Sequence, residues 1–194
     1  AIDADVTVTF GALKPGLVLA PGRLRAGTVR VVDIGLELGE PTAWCLSAED
    51  VEPQIAQPRE DAYKYTRAVA GLVTGSAAYP GAAMLSVAGA QAANTGMVRY
   101  LDRPGSPAHE VVTRFWDVVV DAAAPADQGR VTAWGCGSGL TGSTDEEAVI
   151  AEVLASAVPV VLDAGALVAL GLASTIAGLV RSRHDRGLPT VLTP

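Results

Sequence analysis

The sequence predicts an α/β fold: a parallel sheet with helices on both faces, preceded by a short β-rich segment. Three observations carry this. After about residue 59, short runs of continuous apolar residues such as Ala68 to Thr74 and Val158 to Leu162 alternate with helical stretches. Strands covered on both faces read this way. Turns of Gly, Ser and Ala follow several of these runs. The first forty residues differ: they alternate apolar and polar residues between tight Pro-Gly turns.

Val6 to Phe10 reads as a strand with Val6, Val8 and Phe10 on one face and Thr7 and Thr9 on the other. Lys14-Pro15-Gly16 is a turn, Leu17 to Leu19 a short strand, Pro21-Gly22 a second turn and Thr28 to Ile34 a further strand. Gly39 to Pro58, with three prolines, is linker-like; within it Ser47 can cap a one-turn helix over Ala48-Glu49-Asp50. Ala68 to Thr74 is a buried strand. Pro80 to Asn94 is a helix with Pro in its first turn and Gly96 as its stop. Met97 to Leu101 is a strand, Pro107 to Arg114 a short helix, and Asp117 to Val120 and Val131 to Trp134 are strands. Thr144 opens a helix to about Ala157, with acids in its first turn favouring the helix dipole. Val158 to Leu162 is an apolar strand, helical pieces run to about His184, and Thr190 to Leu192 is a last buried strand. A strand normally feeds another element, so the chain reads as part of a longer one. The expected domains are 1–40, a linker 41–58, and 59–194.

The 194 residues suffice for one good-sized domain, or one plus a piece of another. Hydrophobic residues make up 49% and charged residues 18%, a globular balance. The net charge is −7 with scattered basic residues, so no basic stripe marks a nucleic-acid groove. Cys45 and Cys136 form no CxxC pair and read as small buried thiols in a reducing, cytoplasmic setting. Ala164 to Val180 carries no charge, but it is shorter than a span of about 20 residues and holds three glycines. It reads as two short buried helical pieces, not a membrane segment. No metal-ligand cluster stands out, and the sequence leaves a homo-oligomer open.

In a parallel sheet, ligands sit beyond the carboxyl ends of the strands. Three turns fall there. Gly75-Ser76-Ala77-Ala78-Tyr79-Pro80 joins a strand to a helix; its small residues let a ligand approach the backbone, and the first helical N–H groups can meet an anion. Tight packing explains the same pattern. Gly135 to Gly142 holds four glycines in eight residues, a demand that points to positive φ or close approach of a ligand. Asp163 ends an apolar strand and either binds a ligand or metal or caps the next helix. His109 and His184 read as surface residues. Ser76 has no His and Asp pattern around it, so a hydrolase triad has no support.

Taken together, these segments resemble the bifunctional enzymes that repair hydrated NADH and NADPH. Those join an NAD(P)H-hydrate epimerase domain to an ADP/ATP-dependent NAD(P)H-hydrate dehydratase domain. Ala4 to Gly11, Leu13-Lys14-Pro15-Gly16 and Val32-Asp33-Ile34-Gly35 are similar to the closing segment of the epimerase domain. Tyr63-Lys64-Tyr65, Gly75-Ser76, Tyr79 to Ala83 and Gly96-Met97-Val98 are similar to the start of the dehydratase domain. Gly137-Ser138-Gly139-Leu140 resembles its GPGLG loop, Val161-Leu162-Asp163-Ala164 with Ala166-Leu167 its VLDADAL segment, and Val191-Leu192-Thr193-Pro194 the lead-in to TPHxGE.

The resemblance implies a ribokinase-like fold and a dehydration driven by ADP or ATP with Mg2+. A phosphoryl group is placed on the extra ring hydroxyl of hydrated NADH or NADPH, and loss of phosphate restores the double bond. Ala82 and Gly139 fall where the family contacts the hydrated dinucleotide; Ser76 and Gly137 stand beside them as substrate-binding candidates. No catalytic residue and no metal ligand is expected in this chain. The family's His of TPHxGE and its GTGD Asp base would lie beyond Pro194. The epimerase residues, with their potassium ligands, would lie before Ala1. Departures include Tyr63 for His, Ala68 for Gly, Ser138 for Pro, Thr141 for Gly, and Gly165 for the second Asp of DADAL. Two competing readings are a non-catalytic dinucleotide-binding relative and a ribokinase-like small-molecule kinase.

Overall fold

A computed structural model describes residues 2–41, 43–55, 58–64, 66–125 and 129–194, with the side chain of Gln54 also left aside. Tyr65, part of the resemblance above, lies outside the described residues. The chain divides into two units, Ala1–Gln57 and Pro58–Pro194.

In the first unit, β1 (Val6–Phe10) and β2 (Thr28–Val32) pair in parallel, Val6 opposite Thr28 and Phe10 opposite Val32. Two one-turn helices, α1 (Pro15–Val18) and α2 (Arg23–Ala26), lie between them in sequence. The expected strand at Leu17 to Leu19 does not form: Leu17 and Val18 belong to α1, and Leu19 is its C-cap. The physical reason is Pro15, whose fixed φ and missing N–H suit the first helical position. Thr9 and Ala26 are buried, and Thr7 Oγ1 donates to the Ala26 carbonyl over 2.6 Å. The apolar face of β1 is uncovered: Val8 and Phe10 are 50% and 54% exposed. Ser47 caps α3 (Ala48–Val51) as expected, its Oγ accepting from the Asp50 N–H while Asp50 accepts from the Ser47 N–H. Cys45 is exposed rather than buried, on a segment without regular structure.

The second unit is a six-stranded sheet in the order β5-β4-β3-β6-β7-β8, with every pairing parallel. The strands are β3 (Val69–Val73), β4 (Met97–Leu101), β5 (Val119–Asp121), β6 (Ala133–Cys136), β7 (Val160–Asp163) and β8 (Thr190–Thr193); the helices are α4 (Pro80–Ala92), α5 (Ala108–Arg114), α6 (Thr144–Ala155), α7 (Gly165–Leu172) and α8 (Ser174–Asp185). Side-chain alternation sorts the core into two halves. Leu72, Val98 and Tyr100 pack with Ala83 and Val87 of α4 and Val111 of α5. Val73, Trp134, Cys136 and Leu162 pack with Ile150 and Val153 of α6, Ala166 and Ala169 of α7, and Ile176 of α8. The helices thus cover both faces, as the sequence predicts. Gly71 sits opposite Trp134 in the register, and a Cβ there would lie 2.4 Å from the indole ring. The glycine makes room for the largest core side chain of that face.

Three expectations change. The helix over residues 80–94 is stopped by Asn94, which takes the left-handed conformation at φ 63°. Gly96 serves elsewhere: a Cβ on it would lie 2.2 Å from the Lys64 carbonyl oxygen. The last strand forms, but as the sheet edge, with Val191 and Leu192 exposed. The uncharged run after Ala164 becomes α7 and α8, bent by 101° at Ala173, and only some of its residues are buried. No single helix among the described residues is long and apolar enough to cross a membrane.

One buried charge ties the β8 side of the sheet together. Arg183 of α8 is 1% exposed and donates to the carbonyls of Leu154, Ser156, Val158 and Pro189 and to the Thr190 hydroxyl. A buried guanidinium is tolerable only when its donors are met, and these acceptors meet them. Burial, then the nearby Arg186, pull its pKa down from the usual arginine value.

Candidate functional site

The chain leaves β3 toward β4 and β5 on one side, then crosses to β6, β7 and β8 on the other. The switch point therefore lies between β3 and β6. Open parallel sheets form their ligand crevice there, beyond the carboxyl ends of the strands. Two loops meet at that edge: Thr74 to Tyr79 after β3 and Gly137 to Ser143 after β6.

The loops are joined directly. The Gly75 N–H donates to the Ser138 carbonyl over 2.8 Å, and the Gly137 N–H to the Val73 carbonyl over 3.0 Å. Gly139, at φ 75°, packs so closely on the first turn of α4 that a Cβ would lie 2.5 Å from the Ala82 Cβ and 3.0 Å from the Gly75 Cα. Gly137, at φ 120°, lets the end of β7 approach: a Cβ would lie 1.9 Å from the Asp163 carbonyl oxygen. Both glycines are thus required by packing between backbones.

Two carboxylates fix the second loop. Glu146 of α6 is 8% exposed, and its Oε2 accepts from the N–H and hydroxyl of Thr141 and the N–H groups of Gly142 and Ser143. Burial works to raise its pKa, but the hydrogen bonds from Thr141, Ser143 and Gly142 outweigh it, so the carboxyl is held below its ordinary range. Asp163 accepts from Ser138 Oγ at 2.7 Å and from Thr193 Oγ1 at 2.9 Å. Those bonds, Ser138 first, lower its pKa. Asp163 makes no capping bond to α7; it staples the β6 loop to the ends of β7 and β8 instead. Cys136, buried beneath the loop, has its thiol pushed up to about 12 by burial and stays protonated.

Between the two loops and the exposed face of α6 lies a cleft of about 720 Å³. Ser76, Arg103, Thr141, Asp145 and Glu152 bring its polar groups, and Ala77, Ala78 and Val149 its apolar surface. The volume falls in the range of small-molecule sites. Of the sequence candidates, Ser76 lines the cleft, with its Oγ accepting from the Tyr79 N–H at 3.3 Å. Ala82 and Gly139 lie against each other at the base of α4, both part-exposed, and Gly137 is buried under Asp163. His109 and His184 are at the surface.

Sequence reasoning missed Arg103, Thr141 and Glu146 as site residues. Glu146 had a signal: Ser143-Thr144-Asp145-Glu146 is a capping-box spacing. The departures from the family pattern also fit one another. Ser138 and Thr141 supply the hydroxyls that bind Asp163 and Glu146. Gly165 lies so close to Leu140 that a Cβ would be 2.3 Å from its carbonyl oxygen, leaving no room for a larger residue.

A parallel α/β domain with helices on both faces and a cleft at its switch point defines a class: open doubly wound α/β domains that bind a ligand beyond the carboxyl ends of their strands. Comparison with known proteins specifies it. Residues 70–194 match the family model Carb_kinase, NAD(P)H-hydrate dehydratase, and the chain belongs to that family. The whole chain is 41% identical over 199 residues to the bifunctional NAD(P)H-hydrate repair enzyme Nnr of Mycobacterium tuberculosis (strain CDC 1551 / Oshkosh), of which it spans 38%. A 41-residue stretch, 21% of the chain, is 61% identical to an NAD(P)H-hydrate epimerase of Clavibacter sepedonicus and covers 18% of it. In structure, 61% of the chain superposes with TM-score 0.53 and 25% identity on 45% of the ADP/ATP-dependent NAD(P)H-hydrate dehydratase of Bacillus subtilis co-crystallised with ATP and Mg2+.

Proposed function

We propose that residues 59–194 form the substrate-side wall of an NAD(P)H-hydrate dehydratase site, residues 1–40 the tail of an epimerase-like domain, and residues 41–58 the linker between them. The activity is the ADP- or ATP-dependent dehydration of hydrated NADH or NADPH, restoring the ordinary cofactor in the cytoplasm. The observation that carries this reading is the cleft at the β3/β6 switch point in a chain of this family. Ser76 and the backbone of the paired loops meet the dinucleotide, while Gly137 and Gly139 keep the loops close enough to form one surface.

The chemistry asked of the cleft is orientation. The hydrated ring must present its extra hydroxyl to the phosphoryl donor. The hydroxyl oxygen takes the phosphoryl group; the carbon–oxygen bond then breaks, phosphate leaves, and a proton is lost as the double bond forms. Glu146 is occupied by four donors and takes no part in that proton transfer, and no residue of this chain is assigned as the base. No group of three or more His, Cys, Asp or Glu side chains among the described residues could hold a metal ion. Mg2+ accompanying ADP or ATP is held mainly by phosphate oxygens and water and needs no such group. Potassium belongs to the epimerase half of the reading.

The test is calorimetric titration with NADPH hydrate and with ADP, followed by an assay for nucleotide-dependent recovery of reduced-nicotinamide absorbance. The expected result is binding of the hydrate. Robust turnover by this chain alone would place a base within it and overturn the assignment of a binding wall only. Binding without turnover in a protein carrying both domains would favour a non-catalytic relative. ADP binding alone would favour a small-molecule kinase.

A further inference from the structure

Arg103 follows β4 and lines the cleft opposite α6. Its Nη2 donates to the Gly75 carbonyl, which fixes the guanidinium against the β3 turn. Its Nε is buried and has no hydrogen-bond partner. Among the described residues no carboxylate lies within ion-pair distance of it. The adjacent Asp102 accepts instead from Ser106 Oγ at 2.9 Å. The buried Nε is closed to the cleft, so the donors Arg103 offers a ligand are its remaining Nη N–H groups, for which the described residues provide no acceptor. Arg67 also has an orphan Nε, but it lines no part of this cleft.

The opposite wall carries Asp145 and Glu152 on α6. These carboxylates accept hydroxyls and repel anions. A ligand fitting both walls brings an anionic group to Arg103 and neutral donors to α6. A ribose bearing a pyrophosphate has both. We propose that Arg103 is the anion-binding residue of this cleft, its free Nη N–H groups taking a phosphate oxygen of a pyrophosphate-bearing ribonucleotide. Both the hydrated dinucleotide and ADP or ATP offer that chemistry. Which of them supplies it rests on the functional reading above; the site on Arg103 does not. Because the bond to Gly75 already holds the guanidinium plane, little side-chain freedom is lost when the anion enters.

The test titrates the chain with inorganic pyrophosphate and follows the arginine guanidinium N–H resonances by NMR. The Arg103 signal is assigned by its disappearance in Arg103→Lys. It should move saturably in the wild type. Arg103→Ala should weaken pyrophosphate binding about tenfold or more, Arg103→Lys should keep part of it, and the exposed change Ala77→Asp should weaken it severalfold without touching the fold. An unmoved Arg103 resonance, or unaltered affinity in both Arg103→Ala and Ala77→Asp, overturns the proposal. Titrating hydrated NADPH and ADP into Arg103→Ala then identifies the source: the ligand whose affinity falls is the one whose phosphate Arg103 holds, and no fall for either overturns the proposal. If pyrophosphate binds at Arg103 but the wild type takes up no hydrate, the dehydratase reading fails and the anion site stands.

Discussion

The loops after β3 and β6 look alike in sequence and are held in different ways. The first, Thr74 to Tyr79, is anchored by main-chain bonds and by two side chains from β4 and its extension, Tyr100 and Arg103, which donate to the Thr74 and Gly75 carbonyls. The Thr74 hydroxyl at its start is buried without a partner. The second, Gly137 to Ser143, is gripped by Glu146 and Asp163, each accepting more than one bond. Both loops line the cleft; the second is clamped by carboxylates and the first is not. Glycine content alone does not separate a ligand-facing loop from a structural one. The difference lies in what anchors each loop: carboxylates grip the second, while main-chain bonds, a phenol and a guanidinium hold the first.

The largest effect should come from the clamped loop. Gly137→Ala forces a side chain onto the Asp163 carbonyl at an unfavourable φ, and should cost about 3 kcal/mol in urea unfolding. A neutral result would mean that the loop is not clamped. Glu146→Ala leaves three backbone N–H groups without their acceptor and should cost about 2–3 kcal/mol. The same residue sets an acid limb. Its folded pKa is depressed, so its contribution is present above the unfolded value near about 4.3 and is lost as pH falls through the folded pKa. Glu146→Gln should therefore flatten the decline of stability in that acidic range. An unchanged pH profile would remove the carboxylate from this role.

Smaller changes sharpen the contrast. Ser138→Ala removes one bond to Asp163 and should cost about 1 kcal/mol, read as a shift in the unfolding midpoint. Ser76→Ala, in the first loop, removes only a 3.3 Å bond and should cost about 0.5 kcal/mol or less. It should nevertheless weaken hydrate binding more than Ser138→Ala does. The reverse order would place the ligand on the other loop.

Much of this domain was legible in the sequence because local chemistry and global fold agree. Pro80 at the head of α4, the acids at the head of α6 and the apolar runs of β3 and β7 each point to the element they form. Three features were not legible. The strand order, and with it the switch point, is a matter of long-range pairing. Arg183 carries no local mark of burial, because its acceptors come from the end of α6, the turn beyond it and β8. Arg103 reads as an ordinary turn residue until β3 brings the Gly75 carbonyl beside it. In the first unit, the apolar triplet Leu17 to Leu19 has strand composition, but Pro15 decides in favour of a helix.

The most direct test of the central claim is a crystal structure of the chain soaked with NADPH hydrate. The hydrated dinucleotide is predicted to lie between Ser76 and the face of α6 that carries Asp145. Density for it outside the β3/β6 switch point, with this cleft empty, would contradict the account.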